Sequence, residues 1–144
     1  AAIATAAPKP ADAPVADRAV VRKCLTDKNA RGCIGKIAKA CQAAPGGETT
    51  MGMMECTGRE RAVWDEHLNA SYKLLQGKAS PSQASALMQA QRAWIAYRDA
   101  RCGFEASRYE GGSLAGVIAG DCLMEVTAER ALELTQQARD WDQP

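Results

Sequence analysis

The sequence predicts an all-α protein: a small disulfide-stapled bundle with a long antiparallel helical hairpin, a C-terminal helix and a short Cys-rich N-terminal helical segment. Three observations carry this reading. Apolar residues recur at helical spacing through the long segments, as in Trp64, Leu68, Tyr72 and Leu75. No segment shows the alternating pattern of a strand. Six cysteines, at 24, 33, 41, 56, 102 and 122, form an even set without a CxxC pair or a CxxCH haem motif, which favours three disulfides over metal or haem.

Residues 1–16 read as a disordered leader left after signal-peptide removal, because alanine, proline and scattered charge offer nothing to bury. Residues 17–48 form the Cys-rich segment. Asp17 is the expected cap of a short helix that turns Val20, Val21, Cys24 and Leu25 inward. Asn29 to Gly32 reads as a turn. A second short helix then places Cys33, Ile37 and Cys41 on one face, and Pro45, Gly46 and Gly47 end it.

Residues 49–144 read as one helical domain. Its first helix runs from about Thr50 to Gln76, with Asp65 and Asn69 flanking the Trp64–Leu75 stripe. Thr50 is one candidate cap; a Thr57–Glu60 capping box would start the helix later. After Gly77, Ser80-Pro81-Ser82-Gln83 supplies an N-cap serine, proline at the first helical position and glutamine at the third. The helix it opens should reach about Ser107, and the short connection makes an antiparallel hairpin. Met88, Ile95 and Cys102 recur every seven residues on its apolar face, beside Leu87 and Trp94, with Gln91 and Arg98 on or next to that face. Residues 110–120, EGGSLAGVIAG, read as a glycine-rich loop. Asp121 then caps a last helix to about Asp140, with the stripe Leu123, Val126, Thr127, Arg130 and Leu134.

Sequence alone leaves the cysteine pairing open. Local closure suggests Cys24 with Cys33, Cys41 with Cys56 across the Pro-Gly-Gly loop, and Cys102 with Cys122 across the glycine-rich loop. The hairpin offers a rival, since it brings Cys56 toward Cys102. A net charge of +1 gives no electrostatic case for nucleic acid or a polybasic membrane anchor. No apolar run approaches transmembrane length. With His67 the single histidine, a zinc site would need nearly all-thiolate ligands, so no metal or cofactor is expected.

Two residue sets stand out. Asp65, Asn69, Gln91, Arg98, Asp99, Thr127 and Arg130 are expected to form an interhelical polar network that fixes register, because buried polar groups satisfy one another. His67 lies off the apolar stripe and reads as a solvated surface histidine. No nucleophile–histidine–acid set, HExxH or Walker loop is present, so the chain reads as a non-enzyme. The partner-binding candidates are Arg108, Tyr109, Gly111, Gly112, Ser113 and Leu114. They provide donors, an aromatic anchor and glycines that permit close backbone approach, on a loop held by rigid helices.

From Thr49 to Leu134 the chain resembles the LprI-like family of secreted bacterial lysozyme inhibitors. The matching parts are Thr50, Cys56, WDEHLNASY (64–72), QRAWIAYRDARC (91–102), GGS (111–113), Cys122 and TAER (127–130). The upstream cysteines fit a variant with an added Cys-rich segment. The resemblance implies a small helical periplasmic or secreted protein that inhibits c-type lysozymes. The expectation is therefore a binding protein that occludes the cleft of a lysozyme-like muramidase. Its rivals are an immunity protein neutralising a periplasmic toxin, a structural component of the cell envelope and, least supported, an enzyme.

Overall fold

The computed structural model describes residues 13–143. They form α1 (Val15–Cys24), a 3-10 turn (Ala30–Cys33), α2 (Lys36–Ala43), α3 (Thr50–Lys78), α4 (Pro81–Ser107) and α5 (Leu114–Asp140), with no strand among them. Residues 1–12 of the expected leader lie outside the described residues. The last part of that leader is structured. Ala13 is buried, its N–H donates to Glu66 Oε1 at 3.0 Å, and α1 starts two residues before Asp17. Asp17 is therefore not the cap. It sits buried in the first turn, where an acid suits the helix dipole, and accepts two hydrogen bonds from Arg59 at 2.8 and 3.1 Å.

The two long-helix starts differ in how plainly sequence marks them. Ser80 forms the full capping box with Gln83, as its spacing predicts. At α3 the cap is Thr49, one residue before the expected Thr50, and its side chain accepts from Gly52 N–H at 2.9 Å. Thr57 and Glu60 lie inside α3 and are buried, so the later capping box does not exist.

Direction follows from paired positions. Ser71–Thr135 and Lys78–Asp142 share a sequence offset of 64, so α3 and α5 run parallel. Gln91 meets Arg130 while Cys102 meets Cys122, so α4 runs antiparallel to α5. The short Ala79–Ser80 connection does reverse the chain between α3 and α4. Yet α5 packs against both of them, and α3 touches α4 only sparsely. The core is thus centred on the α3–α5 interface, where Trp64, Ala128, Ala131 and Leu134 are fully enclosed. Truncating Trp64 to alanine would cost about 3–5 kcal/mol.

The start of α5 corrects the glycine-rich-loop reading. Leu114 to Gly120 are helical, and Asp121 is interior rather than a cap. Gly116 and Gly120 are small because α3 lies close. A Cβ at Gly116 would sit 3.0 Å from Met54 Sδ, and one at Gly120 would sit 2.9 Å from Thr57 Oγ1. These glycines serve a helix crossing, not a turn. The real connection is residues 108–113.

The disulfides are Cys24–Cys33, Cys41–Cys56 and Cys102–Cys122, the local set. The first closes the turn after α1, the second ties α2 to α3, and the third ties α4 to α5. Cys56–Cys102 is not formed, since α4 is held against α5 instead.

Candidate functional site

The residues of the expected network are distributed over three helices: Asp65 and Asn69 on α3, Gln91, Arg98 and Asp99 on α4, and Thr127 and Arg130 on α5. Arg98 is buried and lies over the Trp94 ring at 5.1 Å; its Nε donates to the exposed Asp99 at 3.0 Å. Arg130 approaches the same ring at 6.0 Å, donates to Gln91 at 3.1 Å and pairs with Glu133 at 2.7 Å. Asp65 faces Arg61 at 3.8 Å, an arginine that sequence reasoning missed. Burial pushes the Asp65 carboxyl above its ordinary range, against the pull of Arg61 and then Arg98. Burial likewise lowers the Arg61 guanidinium, with Arg98 adding like-charge repulsion. Thr127 is fully enclosed, and its hydroxyl has no hydrogen-bond partner among the described residues. Asn69 is exposed and lies outside the network.

The periodicity had placed Met88 and Ile95 on the inner face of α4. Both are exposed; Leu87, Gln91, Trp94, Arg98 and Cys102 face α5. The inner stripe is thus rotated by about one residue, and it includes the polar Gln91 and Arg98. Polar atoms inside and apolar atoms outside explain why hydrophobicity alone misplaces this face.

The α4–α5 connection is the second candidate. Residues 107–114 are all exposed, and Gly111 holds φ +82, which glycine adopts without strain. The side chains of Arg108, Tyr109 and Ser113 form no hydrogen bond among the described residues, so their polar atoms are available to a partner. Leu114 belongs to the first turn of α5 rather than to the connection. Exposed Met54 lies beside Gly116 at this end, one turn after exposed Met51. Tyr109, Leu114, Met51 and Met54 are all exposed large apolar side chains. Met54 lies 14 residues before Leu68, in helical register with the stripe, but it precedes the segment from which the stripe was read.

His67 is not a solvated surface residue. It is half-buried, and its Nε2 lies 3.0 Å from Thr135 Oγ1, which is in turn 2.8 Å from Ser71 Oγ. Its ring meets Trp64 edge-on, with centroids 6.1 Å apart. Burial, and secondarily Arg139, holds the imidazole below its ordinary pKa.

The family model for lysozyme inhibitor LprI matches residues 41–134, spanning α3, α4, the connection, most of α5 and two of the three disulfides. The chain belongs to the LprI family. An uncharacterized protein of Rhizobium meliloti (strain 1021) is 32% identical over 123 residues, covering 72% of this chain and 86% of its own length. No solved structure matches the chain. The LprI match begins at Cys41, so α1 and the Cys24–Cys33 disulfide lie upstream of it. No helix among the described residues is long and apolar enough to cross a membrane.

Proposed function

We propose that this LprI-family protein is a non-enzymatic inhibitor that works in the periplasm or outside the cell, binding a lysozyme-like muramidase and occluding its substrate cleft with the α4–α5 connection. The observation that carries this reading is the exposed connection itself, which carries Tyr109, joins two helices tied by Cys102–Cys122 and is followed by exposed Leu114. A disulfide-anchored connection loses less conformational entropy on docking than a free one. Arg108 offers a guanidinium fork suited to carboxylates, and a lysozyme cleft carries two of them. Three disulfides suit an oxidising compartment.

The test is a c-type lysozyme assay on a soluble oligosaccharide with purified, oxidised protein. Competitive inhibition is expected. Replacing Arg108, Tyr109 and Ser113 together with alanine should weaken it by roughly 30-fold or more, since one central interface anchor is worth about 2 kcal/mol. Inhibition by the triple variant equal to that of the natural protein would remove the connection as the contact surface. Absence of any inhibition would remove the lysozyme reading itself.

A further inference from the structure

We propose a second binding site, on a different face from the α4–α5 connection and independent of lysozyme binding: a basic cleft around His67 that takes a small anion with two or more acidic groups. Two adjoining cavities of about 360 and 450 Å³ meet there and share Leu25, His67 and Arg139 as common lining. Both fall in the volume range of small-molecule pockets. α1 and the turn after it form one wall; α3 and α5 form the other.

The charge of the lining is strongly one-sided. Arg18, Arg22, Lys28, Arg31 and Arg139 line the two cavities, against Asp27 and Glu66. Arg18 is bound to Glu66 at 2.7 Å, and Arg31 to Glu129 at 3.1 Å. Arg22, Lys28 and Arg139 form no ion pair among the described residues. The whole chain carries a net charge of only +1, so this concentration is local and not a reflection of overall composition. Clefts lined by one sign of charge focus the field on an oppositely charged ligand.

His67 lines both cavities. Thr135 donates its only hydroxyl proton to Ala131 O at 2.8 Å. Its oxygen must therefore accept from both neighbours, Ser71 Oγ–H and His67 Nε2–H. With Thr135 donating to Ala131, its contact with His67 is made by the Nε2–H tautomer, in which Nδ1 is the ring's acceptor. It can accept from a ligand hydroxyl or protonated acid, or donate to the anion once the ring gains a proton. Arg139 spans both cavities, with Arg22 in one and Lys28 in the other. That layout fits a ligand with an acidic group on either side of His67. Arg18, Arg22, Lys28 and Arg31 all precede Cys41, so the wall they supply lies outside the LprI match. The Cys24–Cys33 disulfide holds that wall in place.

The experiment titrates the oxidised protein at low ionic strength with citrate and, separately, with inorganic pyrophosphate. It follows heat by calorimetry and the His67 ring protons by NMR; as the sole histidine, His67 gives an unambiguous signal. Saturable binding with a shift of the His67 ring signals is expected from at least one probe. Response to citrate alone identifies carboxylates, to pyrophosphate alone phosphates, and to both a general polyanion site. Arg139→Ala and Arg22→Ala should each weaken binding roughly 5- to 20-fold, and both residues are exposed enough to be replaced without unfolding the protein. Lys73→Ala, an exposed cation on α3 that lines neither cavity, should leave binding unchanged. Absence of saturable binding by both probes overturns the proposal. So does equal weakening by Lys73→Ala and Arg139→Ala, which would mean diffuse attraction without a site.

Discussion

Glu60 accepts the indole N–H of Trp64 at 3.0 Å, one turn along α3, and with the same carboxylate it caps a different helix. The N–H groups of Gly35, Ile37 and Ala38 donate to it at 2.7, 2.9 and 3.0 Å. These are donors that a helix start leaves without partners, and α2 has no capping side chain of its own. Glu60 thus joins the upstream Cys-rich segment to the LprI core.

Glu60→Ala should destabilise the protein by roughly 3–5 kcal/mol, because it strands several buried donors at once. Glu60→Gln should cost less, since its amide oxygen can still accept. Urea unfolding monitored by the fluorescence of the three tryptophans measures both. A loss below about 1 kcal/mol for Glu60→Ala would mean that water replaces the carboxylate, against the full burial of Glu60.

For Arg98→Ala we expect a moderate loss of about 1–2 kcal/mol, not that of a fully buried ion pair. Its partner Asp99 is 52% exposed, so removing the arginine leaves a carboxylate that water can reach. What is lost is chiefly stacking on Trp94 and stem packing. Thermal and urea unfolding give the number. Unchanged stability with lost lysozyme inhibition would instead place Arg98 in a binding surface.

The depressed pKa of His67 sets a sign for pH dependence. The unfolded chain protonates this imidazole more readily than the folded one, so acid favours unfolding at this site. The contribution should be neutral above the ordinary histidine pKa of about 6.5 and become progressively destabilising as pH falls through it, levelling off below the folded value. Stability measured from pH 8 to pH 5 should therefore fall more steeply for the natural protein than for His67→Gln. Parallel curves would contradict the burial argument.

The disulfide framework makes two demands. Under denaturing, non-reducing conditions a thiol reagent should find no reactive cysteine. Replacing Cys41 and Cys56 together with serine should cost about 3 kcal/mol, as expected for a bond that spans 15 residues. Two or more reactive thiols in the purified protein would contradict this framework.

Gly111→Ala probes the connection without removing any contact. At φ +82 an alanine is strained by about 1 kcal/mol even though space is open around the position. We expect a small loss of stability and a larger loss of lysozyme inhibition, as the backbone around Tyr109 and Ser113 shifts. Inhibition unchanged in this variant would show that the connection need not hold one shape to bind.

The parts legible in the sequence were those set by local chemistry. Ser80 and Gln83 announce the start of α4 because a capping box needs only residues within one turn. The disulfides follow short loops for a similar reason. The parts that were misread depended on a partner far along the chain. Gly116 and Gly120 looked like loop residues, since nothing local reveals Met54 and Thr57 pressing against them. His67 looked solvated because Thr135 lies 68 residues away. Met88 and Ile95 looked internal because the period is real, while the side of α4 that meets α5 is chosen by the Cys102–Cys122 bond and by Gln91 and Arg98.

By itself, then, the sequence determined the helical class, the helix order, the oxidised cysteines and the LprI resemblance, all of which rest on short-range spacing and residue type. Only the tertiary structure decided that α5 lies parallel to α3 and separates it from α4, that Glu60 caps α2, and that basic residues upstream of the LprI core converge on His67. Each of these brings together groups distant in sequence, and their pairing is settled by which burial leaves the fewest polar atoms without partners.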